Sequence, residues 1–247
     1  KEKIAMNQTG EDYCILNYED ERTREFGRRV RSQVLYFSSR HKLERGIYLD
    51  QGNMRYKNPD EVIICKVEQL PVLGTHNYEN VMAAAAMAAV YGVPVEVIRK
   101  VILAFRGVEH RIEYVAEKNG VVYYNDSKGT NPDAAIKGIQ AMNKKTVLIG
   151  GGYDKHSEYT EWIQAFDGKV KKLILLGETK RKIAETAEKC GFRDYMFADT
   201  LKEAVLLAAE TASGGDAVLL SPACASWDMF SSYEVRGEKF KEIVNSL

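Results

Sequence analysis

Residues 121–132 read VVYYNDSKGTNP, and the interpretation of the whole chain starts from this stretch. An apolar run typical of a β-strand comes first and a helical pattern opens at Pro132, so the polar residues between them form a strand-to-helix turn. Such a turn directs backbone N–H groups at anions. A purely structural helix start would explain Asn131 as its cap and Pro132 as its first residue. It would not explain Asp126 and Lys128. We therefore expect a ligand site here.

The rest of the chain beyond residue 112 alternates strands with helices. Asn119-Gly120 is a strong signal for a tight hairpin just before this turn. Continuous apolar runs that alternate with helical patterns predict an α/β fold whose mainly parallel sheet is covered on both faces. We expect strands at 115–118, 121–124, 145–149, 172–176, 195–198 and 217–220, and helices at 132–142, 159–166, 180–190, 201–212 and 233–244.

The first part of the chain has a different pattern. Short strands are expected at 12–17, 34–38, 47–50, 54–57 and 61–67, with a charged, solvated helix at 19–31, an alanine-rich helix at 78–91 and another helix at 94–105. The change of pattern near Gly107 predicts two domains, 1–107 and 108–247.

The composition limits the classes of function. Thirty-five basic residues balance thirty-five acidic ones among 247, which argues against nucleic acid as a partner. No apolar run is long enough for membrane insertion, and no signal peptide is evident, so we expect a cytoplasmic location. The four cysteines lie far apart, as reduced thiols do. The first residue is Lys rather than Met, so the chain is expected to be a fragment.

Three groups of polar residues follow predicted strands. In an open α/β sheet, ligands bind beyond the carboxyl ends of the strands. Besides the turn at 125–131, these ends carry GGGYDK at 150–155 and SPACAS at 221–226. Consecutive glycines let the backbone approach an anion and offer N–H groups, and Lys155 adds a charge.

Several isolated polar residues have both a functional and a structural interpretation. Arg111 suits a bidentate phosphate contact, but also an ion pair at a domain junction. His76 and His110 are candidate metal ligands, and equally capping or packing residues. Asn77 and Asn80 are spaced to contact a purine edge, and are also ordinary residues for a helix start.

These motifs together resemble the Mur ligases, most closely the type that adds D-glutamate. The resemblance covers almost the whole chain and rests on Gly74-x-His76-Asn77-x-x-Asn80, His110-Arg111, DSKGTN at 126–131, SPACASxDxF at 221–230 and Glu234-x-Arg236-Gly237. That family has a uridine-binding domain, a central ATPase domain with a Gly-x-x-Gly-Lys-[Ser/Thr] loop, and a C-terminal Rossmann-like domain. The chain lacks the first domain and the loop, so the resemblance implies an incomplete central domain at 1–107 and a complete C-terminal domain at 108–247.

The resemblance also implies a reaction. ATP, with Mg²⁺, would phosphorylate the carboxylate of UDP-N-acetylmuramoyl-L-alanine, and the amine of D-glutamate would attack the acyl phosphate in peptidoglycan precursor synthesis. Lys1 matches a catalytic lysine that becomes a carbamate beside Mg²⁺, with Lys3 as the second choice. The 247-residue chain alone is expected to be inactive, and the full-length enzyme a monomer.

The resemblance assigns roles residue by residue. Asn77 and Asn80 would lie beside the adenine, Arg111 on the ATP phosphates and Asp126 on the ribose. Lys128 would stabilise the transferred phosphate. Thr130, Lys155 and Ser226 would bind the carboxylates of D-glutamate, with Trp227 and Tyr233 packed nearby. Trp227 stands where the family often has an aliphatic residue, and a mobile hinge is expected at 107–111.

Two other hypotheses stay open at this point. One is a noncatalytic α/β module that binds a nucleotide or another anion through the same turns. The other is a family member that adds a different amino acid, such as L-lysine or meso-diaminopimelate.

Overall fold

The computed structural model describes residues 2–247, which separate into two compact units. The first unit ends at Arg106 and the second begins at Gly107, next to the boundary that the sequence pattern indicates. Each unit has its own sheet and its own hydrophobic core.

The first unit is built on a mixed sheet of order β1-β2-β3-β4-β5, parallel through β3 and antiparallel beyond it. Its strands are β1 (Tyr13–Asn17), β2 (Gln33–Ser38), β3 (Gly46–Asp50), β4 (Asn53–Lys57) and β5 (Glu61–Lys66). Its helices are α1 (Glu21–Gly27), α2 (Thr75–Val90) and α3 (Val95–Ala104), with short 3₁₀ turns at Glu2–Ala5 and Val67–Gln69. Alanines of α2, including Ala85 and Ala86, let this helix lie close to the sheet.

Helix α1 is shorter than the 19–31 expected from its charged run. Asp20 caps its start by accepting a hydrogen bond from the Thr23 N–H at 3.0 Å. The helix ends at Gly27, where a side chain would collide with the Tyr36 hydroxyl.

The second unit contains a sheet of order β10-β9-β8-β11-β7-β6, in which only the β6–β7 pair is antiparallel. Its elements are β6 (Glu113–Lys118), β7 (Val121–Asn125), α4 (Pro132–Ala141), β8 (Thr146–Gly150), α5 (Thr160–Gln164), β9 (Val170–Leu175), α6 (Lys180–Lys189), β10 (Tyr195–Phe197), α7 (Leu201–Thr211), β11 (Ala217–Leu220) and α8 (Tyr233–Asn245). The mainly parallel sheet predicted from the sequence is therefore confirmed.

Local signals explain the start of this unit. Asn119 and Gly120 take φ values of 51° and 76°, the left-handed conformations that a tight two-residue hairpin requires. Asn131 caps α4 by accepting the Ala134 N–H at 2.9 Å, with Pro132 as the first helical residue. The turn between β7 and α4 is thus held at both ends.

The core of the second unit explains why its strands are continuous apolar runs. All residues of β8 and β11 are buried. Residues of α7 and α8, such as Ala204 and Phe240, pack on the sheet, while Trp162 of α5 lies against the end of β8 at Gly150. Helix α5 is shorter than the predicted 159–166. Tyr159 and Phe166, the aromatic residues at the two ends of that range, are nevertheless buried. Within residues 2–247, no helix has the length and apolar character needed to span a bilayer.

Candidate functional site

The site lies at the carboxyl ends of three neighbouring strands, because β11 runs between β7 and β8. We call the segments that follow these strands the β7 loop (126–131), the β8 loop (151–155) and the β11 loop (221–226). Backbone hydrogen bonds join the β8 and β11 loops: Gly151 donates to Pro222 O at 2.9 Å and Tyr153 donates to Ala225 O at 3.0 Å. The expectation that these three stretches converge is confirmed.

The backbone N–H groups of these loops are largely satisfied within the protein. The Gly152 N–H donates to the Thr179 hydroxyl at 3.1 Å. In the β7 loop, the Lys128 N–H donates to His110 O at 3.0 Å and the Gly129 N–H to Asp126 O at 2.8 Å. Protein acceptors therefore occupy these three N–H groups, and anion binding by other N–H groups of the loops stays a prediction.

The glycines of the β8 loop serve close packing instead. A Cβ on Gly151 would lie 2.1 Å from Leu176 O, and a Cβ on Gly152 would lie 2.3 Å from Ala225 O. Both residues also have positive φ, at 105° and 148°. Gly152 therefore lets the β8 loop pack against the β11 loop, and Gly151 lets it pack against Leu176 at the end of β9.

Asp126 is enclosed rather than open to solvent. Its carboxyl accepts a hydrogen bond from Ser221 Oγ at 2.6 Å and another from the Ile112 N–H at 3.3 Å, and only 4% of the residue is exposed. Burial raises the pKa of this carboxyl to about 7, although both hydrogen bonds oppose the rise. Gly129 and Gly138 close over it, since a Cβ on either would approach Oδ2 to within 2.8 Å. Ribose binding by Asp126 stays a prediction.

Lys128 places its ammonium group at the surface of the same edge. Its Nζ lies 3.9 Å from the ring centroid of Tyr233, the first residue of α8. The His110 ring packs against Tyr233 edge-on, with 6.0 Å between centroids. A cation over an aromatic face is worth about 0.5–1 kcal/mol at an exposed site. This contact therefore holds the ammonium beside the β7 loop without burying its charge.

A second cation and two aromatic rings lie beside the β11 loop. The rings of Tyr153 and Trp227 pack at a tilt of 58° with 5.6 Å between centroids, and Lys155 Nζ lies 5.9 Å from the Trp227 ring centroid. Trp227 is 63% exposed, which is unusual because tryptophan side chains are mostly buried in folded proteins. Ser226 has the opposite character, since its Oγ is buried and has no hydrogen-bond partner within the described residues. Thr130 is half-buried in the β7 loop.

The sequence pattern assigned no role to Arg236, although it lies in the motif quoted above. Its guanidinium is buried and donates to Ser127 of the β7 loop and to Cys224 and Ala225 of the β11 loop. The acceptors of Arg236 lie in loops that are distant from it in sequence, so the spacing of residues along the chain could not predict its contacts.

His110 belongs to a cluster of ionic groups with its neighbours. The carboxylates of Glu109 and Glu238 approach His110, with possible ligand atoms within 4.8 Å of one another. However, Lys241 Nζ lies 2.7 Å from Glu238, and Asn125 Nδ2 lies 3.0 Å from His110 Nδ1. A metal ion would compete with the ammonium of Lys241, so the geometry favours the packing interpretation of His110.

The remaining predicted residues lie in other places. Asn77 is in α2 of the first unit, where its Nδ2 donates to Leu73 O at 2.7 Å, while Asn80 of the same helix is exposed. Arg111 is exposed just before the second sheet. Lys3 is exposed in the first 3₁₀ turn, and Lys1, predicted as catalytic and as a carbamylated metal ligand, lies outside the described residues. The cysteines are free, as expected.

Comparison with known proteins adds a finding at the family level. Residues 110–224 match the family model described as "Mur ligase, glutamate ligase domain". A curated relative, the UDP-N-acetylmuramoylalanine–D-glutamate ligase of Lachnoclostridium phytofermentans, is 54% identical over 100% of this chain and 55% of its own length. The chain thus spans about half the length of the curated relatives it matches.

Solved structures share the fold at low identity. The UDP-N-acetylmuramoylalanyl-D-glutamyl-2,6-diaminopimelate–D-alanyl-D-alanyl ligase of Acinetobacter baumannii has a TM-score of 0.71 at 17% identity, over 99% of this chain and 54% of that one. The MurF ligase of Thermotoga maritima, solved with ADP, has a TM-score of 0.63 at 15% identity, over 99% of this chain and 56% of that one.

Proposed function

The chain belongs to the Mur ligase family, and we propose that it is part of an ADP-forming ligase that joins D-glutamate to UDP-N-acetylmuramoyl-L-alanine. The relatives named for this reaction support the proposal over the whole chain. The observation that carries it is that the loops bearing Lys128, Lys155 and Ser226 follow neighbouring strands at one edge of a parallel sheet.

The reaction has two steps in which bonds and charges balance. The terminal phosphoryl group of ATP moves to the carboxylate oxygen of the L-alanyl residue, and ADP leaves. The amine of D-glutamate then attacks the acyl carbon, inorganic phosphate leaves, and the amine gives up a proton as the amide forms. Catalysis of such steps is mostly positioning and stabilisation of negative charge.

The residues of the site suit these demands. Lys128 presents an exposed ammonium at the end of β7, where it would stabilise the phosphoryl oxygens. Lys155 would pair with a carboxylate of D-glutamate, while Trp227 packs along the carbon chain between the two carboxylates. The unpartnered hydroxyl of Ser226 has the donor that a carboxylate oxygen needs. Thr130 and Tyr233 would complete the pocket.

The nucleotide part of the proposal rests on less of the chain. Arg111 would contact the ATP phosphates, Asp126 the ribose, and Asn77 with Asn80 the adenine. The relative solved with ADP supports nucleotide use in the family. Mg²⁺ would supply charge neutralisation at the phosphates; its only proposed protein ligand in this chain is Lys1, outside the described residues.

The partners follow from the same proposal. The ligase would take UDP-N-acetylmuramoyl-L-alanine and D-glutamate as substrates in the cytoplasm, and would act as a monomer. Residues 1–107 would be the C-terminal part of its ATPase domain and residues 108–247 its amino-acid-binding domain. The rest of the ATPase domain, with its phosphate loop, is needed for turnover.

Lys128→Gln in the full-length parent enzyme tests the proposal. We expect the wild-type enzyme to release ADP only when D-glutamate is present. In the variant, kcat should fall about 100-fold or more, which is the usual effect of removing one group that stabilises the transition state. Lys137→Gln is the matched control, because Lys137 is an exposed lysine of α4.

The outcomes separate the competing functions. ADP release with L-lysine or meso-diaminopimelate but not with D-glutamate would assign the chain to another amino-acid ligase. Nucleotide binding without ADP release under any of these conditions would favour the noncatalytic module.

A further inference from the structure

The Arg236 side chain donates hydrogen bonds to two loops of the site and lies beside the third. Its Nε donates to Ser127 Oγ at 2.9 Å and its Nη2 to Ser127 O at 2.8 Å. Both terminal nitrogens also donate to Cys224 O at 3.2 Å, and Nη1 donates to Ala225 O at 3.3 Å. On the third side, a Cβ on Gly152 would lie 3.4 Å from Nη1. The guanidinium therefore sits at the junction of the β7, β8 and β11 loops.

Among residues 2–247, no carboxylate forms an ion pair with this guanidinium. Its acceptors are one hydroxyl and three backbone carbonyl groups, all of them neutral. Arg236 is only 3% exposed, and burial lowers its pKa to about 10, so it stays charged at neutral pH. Buried charges are normally paired, because desolvation of an isolated ion is costly.

The nearest acidic side chains compensate this charge only in part. Asp126 and Asp228 act on the guanidinium from beyond hydrogen-bond distance. The pKa of Asp126 is itself raised to about 7 by burial, so its carboxyl is not a full negative charge at neutral pH. The Asp228 carboxylate instead accepts the Glu178 N–H at 3.0 Å. Positive charge therefore remains uncompensated beneath the loops.

The unpartnered hydroxyl of the site belongs to the residue next to one that this charge contacts. Ser226 follows Ala225, whose carbonyl Arg236 binds, and Ser226 Oγ is buried without a hydrogen-bond partner among residues 2–247. An anionic oxygen above the β11 loop would accept a hydrogen bond from the Ser226 hydroxyl. The same oxygen would partly neutralise the buried charge of Arg236.

We propose that Arg236 is a positioning residue that aligns the β7 and β11 loops and attracts a carboxylate of an amino dicarboxylate substrate to Ser226. The inference rests on the proposed ligase function and adds a residue to it. Arg236 does not touch the substrate; its charge acts through the Cys224 and Ala225 peptide groups. The consequence is a specific kinetic signature, since removing the charge weakens binding of the dicarboxylate more than it weakens binding of ATP.

Steady-state kinetics of the full-length parent enzyme test this proposal with Arg236→Gln and Arg236→Lys. We expect Arg236→Gln to raise the KM for D-glutamate about tenfold or more, while the KM for ATP changes less than about threefold, since a lost charge interaction of this kind is usually worth one or more decades of affinity. Arg236→Lys keeps the charge and loses the planar fork, so its KM for D-glutamate should rise less. Arg181→Gln, an exposed arginine of α6, is the matched control and should leave both KM values unchanged.

Each outcome decides the matter. Equal KM values for D-glutamate in the Gln and Lys variants would show that charge is irrelevant, and a larger change in the KM for ATP would place the effect at the nucleotide; either result overturns the proposal. If Arg236→Gln does not fold, as tryptophan fluorescence would show, Arg236→Lys decides alone: a rise in KM of less than about threefold supports the role of charge and a rise above about tenfold refutes it. A wild-type parent that releases no ADP with D-glutamate would refute the ligase function instead, which is a separate result.

Discussion

The enclosed carboxyl of Asp126 should make the second unit less stable as the pH rises. Its pKa is about 7 in the folded protein against an ordinary 3.8, because burial disfavours the charged form. Between these two values the folded state binds a proton that the unfolded state has released. The free energy of unfolding must therefore fall as the pH increases through this interval, the opposite of the trend that a salt-bridged aspartate produces.

The size of the effect follows from the same two values. One pH unit of difference corresponds to about 1.4 kcal/mol, so the gap between 3.8 and about 7 gives at most about 4 kcal/mol. Asp126→Asn removes the titration and keeps the contacts, since an amide can accept the Ile112 N–H and donate to Ser221 Oγ. The variant should match the wild type near pH 4 and be more stable by up to about 4 kcal/mol near pH 8.

Urea unfolding followed by tryptophan fluorescence measures this difference in the 247-residue chain. Both tryptophans, Trp162 and Trp227, belong to the second unit, so the signal reports on the unit that contains Asp126. Asp167→Asn is the control, because Asp167 is exposed in a loop at a φ of 41°, a conformation that asparagine tolerates. Parallel stability curves for wild type and Asp126→Asn from about pH 4 to about pH 8 would refute the reasoning.

Three further predictions concern stability and reactivity. Gly138→Ala should destabilise the second unit by about 1–3 kcal/mol by crowding Asp126, although alanine normally favours a helix. Gly214→Ala in the same unit, where a Cβ would lie 3.8 Å from Asn119 O, should be nearly neutral by urea unfolding. Thr200→Ala should cost about 1 kcal/mol in the same measurement, because the threonine caps α7, and equal stability would exclude that role. Cys190, the one cysteine that is not buried, should react first with a thiol reagent, and peptide mapping that finds another cysteine modified faster would contradict this.

The sequence predicted those features that depend on short-range signals. The hairpin at Asn119-Gly120, the capped start of α4 and the parallel order of the second sheet all follow from local patterns, and all are present. Convergence of the three loops also followed, because the ends of parallel strands meet at one edge. The family resemblance supplied the rest of the functional prediction; the relatives confirm the family, and the reaction stays a proposal.

The features that the sequence did not predict depend on contacts between distant residues. Whether the Gly152 N–H is free is decided by Thr179, and nothing in the glycine run indicates that partner. The burial of Asp126 depends on Gly138, which a helical pattern alone would interpret as a weak point of α4. Arg236 stood in the family motif without an assigned role, and only its acceptors in distant loops indicate what it does. Each case is a matter of tertiary packing, which spacing along the chain does not encode.

The internal bonding of the loops explains how the site can be rigid and still attract anions. Because most N–H groups of the β7 and β8 loops bond to protein acceptors, these two loops keep their shape without a ligand, and binding need not order them. Side chains must then supply the attraction for an anionic substrate. These side chains form two groups, which differ in how strongly salt screens them. Lys128 and Lys155 are exposed, so salt screens them and their aromatic neighbours only orient them. Arg236 is buried, so its field persists at high ionic strength. A dicarboxylate would therefore be captured by the outer lysines and selected by the buried charge.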